Sequence, residues 1–150
     1  MLITFKTFAR TPPSASVKIL AAVAKGDGLK IFHLHTAQAF VRVKLDHDIY
    51  MKLSGGCSDM PGNIVRLNRS LYSLKQSGRQ WAGLLVETVV EYGMEQCRID
   101  PCVFRMVVDG KVELIMVVHV DGIVIAGSDE TCRDFHAALT TNSPRITSAN

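Results

Sequence analysis

The spacing of apolar and polar positions changes several times along the chain, and each change predicts an element. Thr11-Pro12-Pro13-Ser14 reads as a loop ending in Ser14, a residue type that caps helix N-termini. Val17, Leu20, Ala21 and Ala24 then recur at helical spacing until Gly26 and Gly28 end the pattern. Residues 29–35 alternate as a strand, with Ile31, His33 and His35 on one face and Phe32 and Leu34 on the other. Residues 49–53 and 64–67 predict short strands, with turn signals at Gly55-Gly56 and Pro61-Gly62 between them. The clearest helix runs over 77–92, where Trp81, Leu84, Leu85, Thr88, Val89 and Tyr92 share a face and Gly93 supplies the stop. Residues 103–108 and 112–118 flank Asp109-Gly110 as a hairpin. Residues 117–120 and 123–126 flank Asp121-Gly122 as another, the dipeptide reading as a type I′ turn. Ser128 is placed to cap a last helix carrying Cys132, Phe135 and Leu139. This order predicts an α+β fold, an antiparallel sheet with helices on one face.

Composition narrows the class without naming a chemistry. A chain of 150 residues, 47% apolar and 21% charged, has material for one globular domain with a core. Its uninterrupted apolar runs, such as 114–118 and 123–126, fall far below the roughly 18 residues of a membrane span. The N-terminus lacks a stretch of signal-peptide length. An intracellular setting, cytoplasmic or nuclear, is therefore expected, with Cys57, Cys97, Cys102 and Cys132 as reduced thiols. The net charge of +3 permits a polyanionic partner without requiring one. Gly-rich phosphate loops, HExxH and GxSxG are all missing, so residue patterns alone stop at an α+β domain.

Three separated blocks carry more. Residues 34–40 read LHTAQAF, followed by DIYM at 48–51. Residues 66–81 read RLNRSLYSLKQSGRQW. Residues 100–104 read DPCVF, followed by VHVDGIVIAG at 118–127. They resemble, in order and spacing over residues 4–140, the reverse transcriptase of Copia-type LTR retrotransposons. That family has MDVKTAF…EIYM, KLxKSLYGLKQAPRxW, DPCVY and YVDDxLIAG at these places, and SLYxLKQ is the most distinctive match.

The resemblance implies the fingers-and-palm part of a right-hand polymerase over residues 1–140, with a primer–template of RNA or DNA and deoxynucleoside triphosphates as partners. It also implies a fragment: the thumb, RNase H and integrase regions, and the segment that precedes Thr7-Phe8-Ala9-Arg10, are expected to be missing. Polymerases of this kind use two divalent ions about 4 Å apart, Mg²⁺ in this family, held by carboxylate oxygens. The family supplies three Asp. Here the first position is His35 and the last is Gly122, so Asp121 alone remains as catalytic and metal-binding carboxylate. A neutral imidazole suits zinc or copper rather than Mg²⁺. Lost Mg²⁺ binding and an inactive polymerase are the expectation. Each loss needs a single base change, which fits a decaying element copy. His33 and His35, with or without His119 at the family's Tyr position, can also be read as a metal site, as substitution scars or as hydrogen-bonded core histidines.

Other positions match the family. The resemblance implies that Phe40 excludes a ribose 2′-hydroxyl and that Gln76 lies near the incoming nucleotide. From the residues alone, Phe40 reads as core packing and Gln76 as a solvated loop amide. Ser73 replaces the family's Gly, and a positive φ there would introduce strain of order 1 kcal/mol. Residues 64–81 hold Arg66, Arg69, Lys75 and Arg79 with no acid, and Tyr72 and Trp81 lie among them. This is a nucleic-acid-binding stretch or a solvated face. Trp81, on the apolar helix stripe, reads as core, as do Met94, Met106 and Met116. Residues 142–150, NSPRITSAN, are polar and aperiodic. Back-translation read two bases later permits FPTNNLGE, which resembles the family's own continuation beyond this point. A frameshift near residue 141 and a disordered tail over 141–150 are expected. The alternatives are a non-catalytic nucleic-acid-binding remnant and a non-functional pseudogene product.

Overall fold

Two Asp-Gly dipeptides near the end of the chain set the sheet, and they do so differently. In the computed structural model, which describes residues 9–56 and 62–142, Val103–Val108 and Lys111–His119 form a hairpin closed by Asp109-Gly110. Both turn residues have positive φ (51° and 77°), the I′ pattern that Asp-Gly favours. The second hairpin pairs Lys111–His119 with Gly122–Gly127, and His119 faces Gly122 in register. Its turn residues are therefore Val120 and Asp121, not Asp121 and Gly122. Only Val120 is left-handed (φ 61°), which is the II′ pattern, and Gly122 belongs to the strand. The type I′ expectation is corrected here. The expected strands 112–118 and 117–120 are also one strand, which serves both hairpins.

The elements run α1 (Ser14–Gly26), β1 (Lys30–His35), a 3₁₀ turn (Ala39–Arg42), β2 (Tyr50–Lys52), β3 (Ile64–Arg66), α2 (Ser77–Glu91), β4 (Glu95–Gln96), β5 (Val103–Val108), β6 (Lys111–His119), β7 (Gly122–Gly127) and α3 (Asp129–Ala137), with a π turn over Ala138–Asn142. The main antiparallel sheet has the order β1-β7-β6-β5-β4, and β2 and β3 pair separately. Of the expected tail, residues 143–150 lie outside the described residues, as do Thr7, Phe8, Cys57 and Pro61.

Helices cover both faces of the sheet, which corrects the one-face expectation. Trp81, Leu85 and Val89 of α2 and Cys132 and Phe135 of α3 bury one face with Phe104, Leu114, Met116, Ile123 and Ile125. Leu20 and Ala24 of α1 pack on the other with Val117 and Ala126. The physical reason lies in the continuous apolar runs of β6 and β7. They are apolar at both parities, as strands covered on both sides are. On α1 the buried stripe is narrower than expected, because Val17 and Ala21 are exposed. Its N-cap position is Pro13, with no side-chain cap, so Ser14 does not cap it. Ser128 does cap α3, accepting from the Thr131 N–H at 3.1 Å. Gly93 (φ 105°) follows α2 as expected. Met94 and Met116 are core, and Met106 packs against it half-buried. Gly127 is required by packing: a Cβ there would stand 2.8 Å from the Glu113 carbonyl oxygen.

Candidate functional site at the hairpin tip

The positions that match the family's carboxylates converge at one end of the sheet. β1 lies beside β7 with His35 opposite Gly122, and His33 opposite Val124. Strand alternation puts His33, His35 and His119 on the sheet face that α1 covers further along. All are exposed, so the core-histidine reading is corrected. His35 Nδ1 lies 4.0 Å from Asp121 Oδ1, with side chains 60% and 30% exposed. An exposed pair at that distance contributes about 0–1 kcal/mol when the imidazole is charged.

The backbone at this tip is held from two sides. The Thr36 N–H donates to the Asp121 carbonyl oxygen at 3.0 Å. The Trp81 indole N–H donates to the Val120 carbonyl oxygen at 2.8 Å. Trp81 is 1% exposed and sits in the core as expected, but its polar function was not visible in the helix pattern.

The donor set does not fit a pair of Mg²⁺ ions. Hard cations of that charge require several anionic oxygens, and this tip presents one carboxylate, one imidazole 4.0 Å away and a glycine. Among the described residues, no three His, Cys, Asp or Glu side chains are grouped to hold a metal ion. Position 122 itself could carry a side chain. Its φ is not left-handed, and a Cβ would make ordinary contacts of 3.4 Å with the His119 carbonyl oxygen and His33 Nε2.

The second motif block packs against the first. The Ser70 N–H donates to the Val43 carbonyl oxygen at 2.9 Å, and Lys44 bridges to Arg69. Phe40, half-buried, meets Tyr72 edge to face, with ring centroids 4.8 Å apart. Ser70 and Ser77 are buried and hydrogen-bonded to each other, and the Ser77 hydroxyl donates to the Leu71 carbonyl oxygen at 2.6 Å. The loop they hold places Ser73 at φ 73°. Gln76 is 7% exposed, so it is not a solvated amide.

Arg66, Arg69, Lys75 and Arg79 are exposed. The fold offsets part of their charge with an acid distant in sequence: Asp48 lies 3.5 Å from Arg66. Asp46 accepts from Gln80 Nε2 at 2.5 Å. Between the 3₁₀ turn and α2 lies a cavity of about 650 Å³, lined by Arg42, Lys44, Arg69, Asp46 and Glu87 among others. Sequence periodicity gave no sign of it, since its walls come from separate elements. Cys97, Cys102 and Cys132 are free thiols. Burial raises the thiol pKa of Cys102 and Cys132, whereas hydrogen bonds from the Asp100 and Ile99 backbone lower that of Cys97. No helix among the described residues is long and apolar enough to cross a membrane.

The family described as reverse transcriptase (RNA-dependent DNA polymerase) matches residues 4–143. The chain is 32% identical over 128 residues to the retrovirus-related Pol polyprotein from transposon RE1 of Arabidopsis thaliana, covering 84% of this chain and 9% of that protein. It is 30% identical over 126 residues to the corresponding polyprotein from transposon RE2 of the same plant, covering 83% and 9%. It is 28% identical over 118 residues to that from transposon TNT 1-94 of Nicotiana tabacum, covering 77% and 9%. The chain thus spans about a tenth of the length of these relatives. No solved structure matches it. With the match over residues 4–143 and the motif blocks meeting around one hairpin, the chain belongs to the reverse transcriptase family, as a Copia-type domain of retrotransposon Pol polyproteins.

Proposed function

We propose that the chain is a fingers-and-palm fragment of a Copia-type reverse transcriptase that has lost nucleotidyl transfer. The observation that carries this is the lone Asp121 carboxylate, facing His35 at 4.0 Å and followed by Gly122. Nucleotidyl transfer needs its developing phosphoryl charge stabilised by preorganised cations, and one carboxylate does not supply the anionic oxygens that two hard ions require. Asp121 is the one catalytic and metal-binding position retained. Phe40 and Gln76 are retained as walls of a nucleotide site. The polymerase unit spans residues 1–140, with 141–150 as a separate, frameshifted tail. Free thiols at Cys97, Cys102 and Cys132 support a place inside the cell, in cytoplasm or nucleus.

A titration with Mn²⁺, followed by electron paramagnetic resonance, tests the metal part. Ions in excess of protein should stay free, and two ions taken up per chain would overturn it.

A second reading, a non-catalytic nucleic-acid-binding remnant, is favoured by Tyr72. It is 50% exposed and lies within seven residues in sequence of the exposed Arg69, Lys75 and Arg79, a composition suited to base stacking and backbone tracking. Its test is the salt dependence of binding to a primer–template. Each phosphate contact on a duplex contributes a slope of about −0.9 in log K against log salt, and a slope near zero would remove this reading.

A further inference from the structure

A β-branched residue in the left-handed region is an outlier that persists only when its surroundings fix it. Val120, with φ 61°, is such a residue. The Asp109-Gly110 turn needs no such help, because Asp and Gly tolerate positive φ themselves. At Val120 the sequence supplies no residue of that kind, so the conformation must be imposed from outside the turn. The register of β6 with β7 leaves a two-residue turn, which calls for a positive φ at its first position, and two donors then hold the carbonyls of that turn. Thr36, just past β1, holds Asp121, and Trp81, in the second turn of α2, holds Val120.

Trp81 is the only tryptophan in the chain, and its indole can donate but not accept. Being 1% exposed, it would leave a buried unpaired N–H if the turn moved away. The bond spans 39 residues and joins the block RLNRSLYSLKQSGRQW to the block VHVDGIVIAG. From this geometry we infer that Trp81 is the positioning residue of the hairpin tip. Its N–H holds the Val120–Asp121 peptide in the II′ orientation and thereby fixes where Asp121 is presented. Any displacement of α2 is passed to Asp121 through this bond. This role of Trp81 does not depend on Asp121 contacting a metal.

The test separates the N–H from the ring. β-(3-Benzothienyl)alanine at position 81 keeps the bicyclic shape and removes the donor, and Trp81→Phe is a second variant. Amide hydrogen exchange is followed at Thr36 and Gly122 near the tip and at residues 124–126 in the strand. Loss of one net hydrogen bond predicts about threefold to tenfold faster exchange at Thr36 and Gly122, with residues 124–126 little changed. In a Val120→Gly background, where positive φ costs little, the same replacement should accelerate tip exchange by less than about twofold. Unchanged tip exchange in the isostere overturns the inference. So does uniform acceleration across the strand, the signature of lost packing, and so does an equal effect in both backgrounds.

Discussion

Placing carboxylates at positions 35 and 122 tests the proposed loss directly. Consider His35→Asp and Gly122→Asp combined in one chain. The first replaces an imidazole 4.0 Å from Asp121 Oδ1. The second places a side chain where a Cβ makes contacts of 3.4 Å and the backbone is not left-handed, so the fold accepts it. Two like charges 4 Å apart repel by about 1 kcal/mol in water and about 4 kcal/mol at an effective dielectric constant of 20. With side chains 60% and 30% exposed, screening puts the site toward the lower figure. The third carboxylate adds a comparable repulsion. Without divalent ions the variant should lose about 2–4 kcal/mol, or roughly 4–16 °C in Tm. Mg²⁺ at about 100 times its Kd should return about 2.7 kcal/mol. The assay is thermal unfolding with Mg²⁺ or with chelator, at matched ionic strength. The parent chain should show no specific Mg²⁺ stabilisation. A variant as stable as the parent in chelator, or one that Mg²⁺ does not rescue, would refute the electrostatic reasoning.

Smaller predictions rest on individual residues elsewhere in the fold. Ser73→Gly releases a non-glycine residue from φ 73° and should add a net of about 0.5–1 kcal/mol, roughly 1–4 °C in Tm; an unchanged or lower Tm would contradict the strain argument. The Lys30 ammonium beside Asp129 holds that carboxyl below the usual value. A depressed folded pKa adds stability that is present above the unfolded value of about 3.9 and is lost as pH falls through the folded value. Asp129→Asn should therefore flatten the loss of stability on acidification in this range, and an unaltered pH profile would exclude the linkage. Among Cys97, Cys102 and Cys132, iodoacetamide should modify Cys97 first in the folded protein, since it is half-buried with a lowered pKa while the others are buried with raised ones. Peptide mapping that finds Cys102 or Cys132 modified first would contradict this.

Local pattern carried most of the element order, because the signals were strong where the physics is local. The α2 stripe through Trp81, Leu85 and Val89 is buried as its period implies, and Asp109-Gly110 adopts the turn its residues favour. The same dipeptide at Asp121-Gly122 does not, because β6 pairs with β7 in the register that sets His119 opposite Gly122, which moves the turn to Val120-Asp121. Strand pairing thus overrode a good local signal at this hairpin tip. Likewise, the apolar runs in β6 and β7 contained the information that helices cover both faces, but periodicity does not say which helix covers which. The two-residue β4 is too short to leave a pattern. The carboxylate positions were legible through the motif resemblance. The Trp81 donor, the Asp48–Arg66 pair and the burial of Gln76 were not, since each depends on segments far apart in sequence meeting in space.

Primer extension is the most direct trial of the central claim. The purified chain is incubated with an annealed RNA–DNA primer–template, deoxynucleotides and Mg²⁺, and extended primer is resolved by length. The lone carboxylate at Asp121 predicts no product above the protein-free control. Templated, Mg²⁺-dependent extension that chelator abolishes would contradict it.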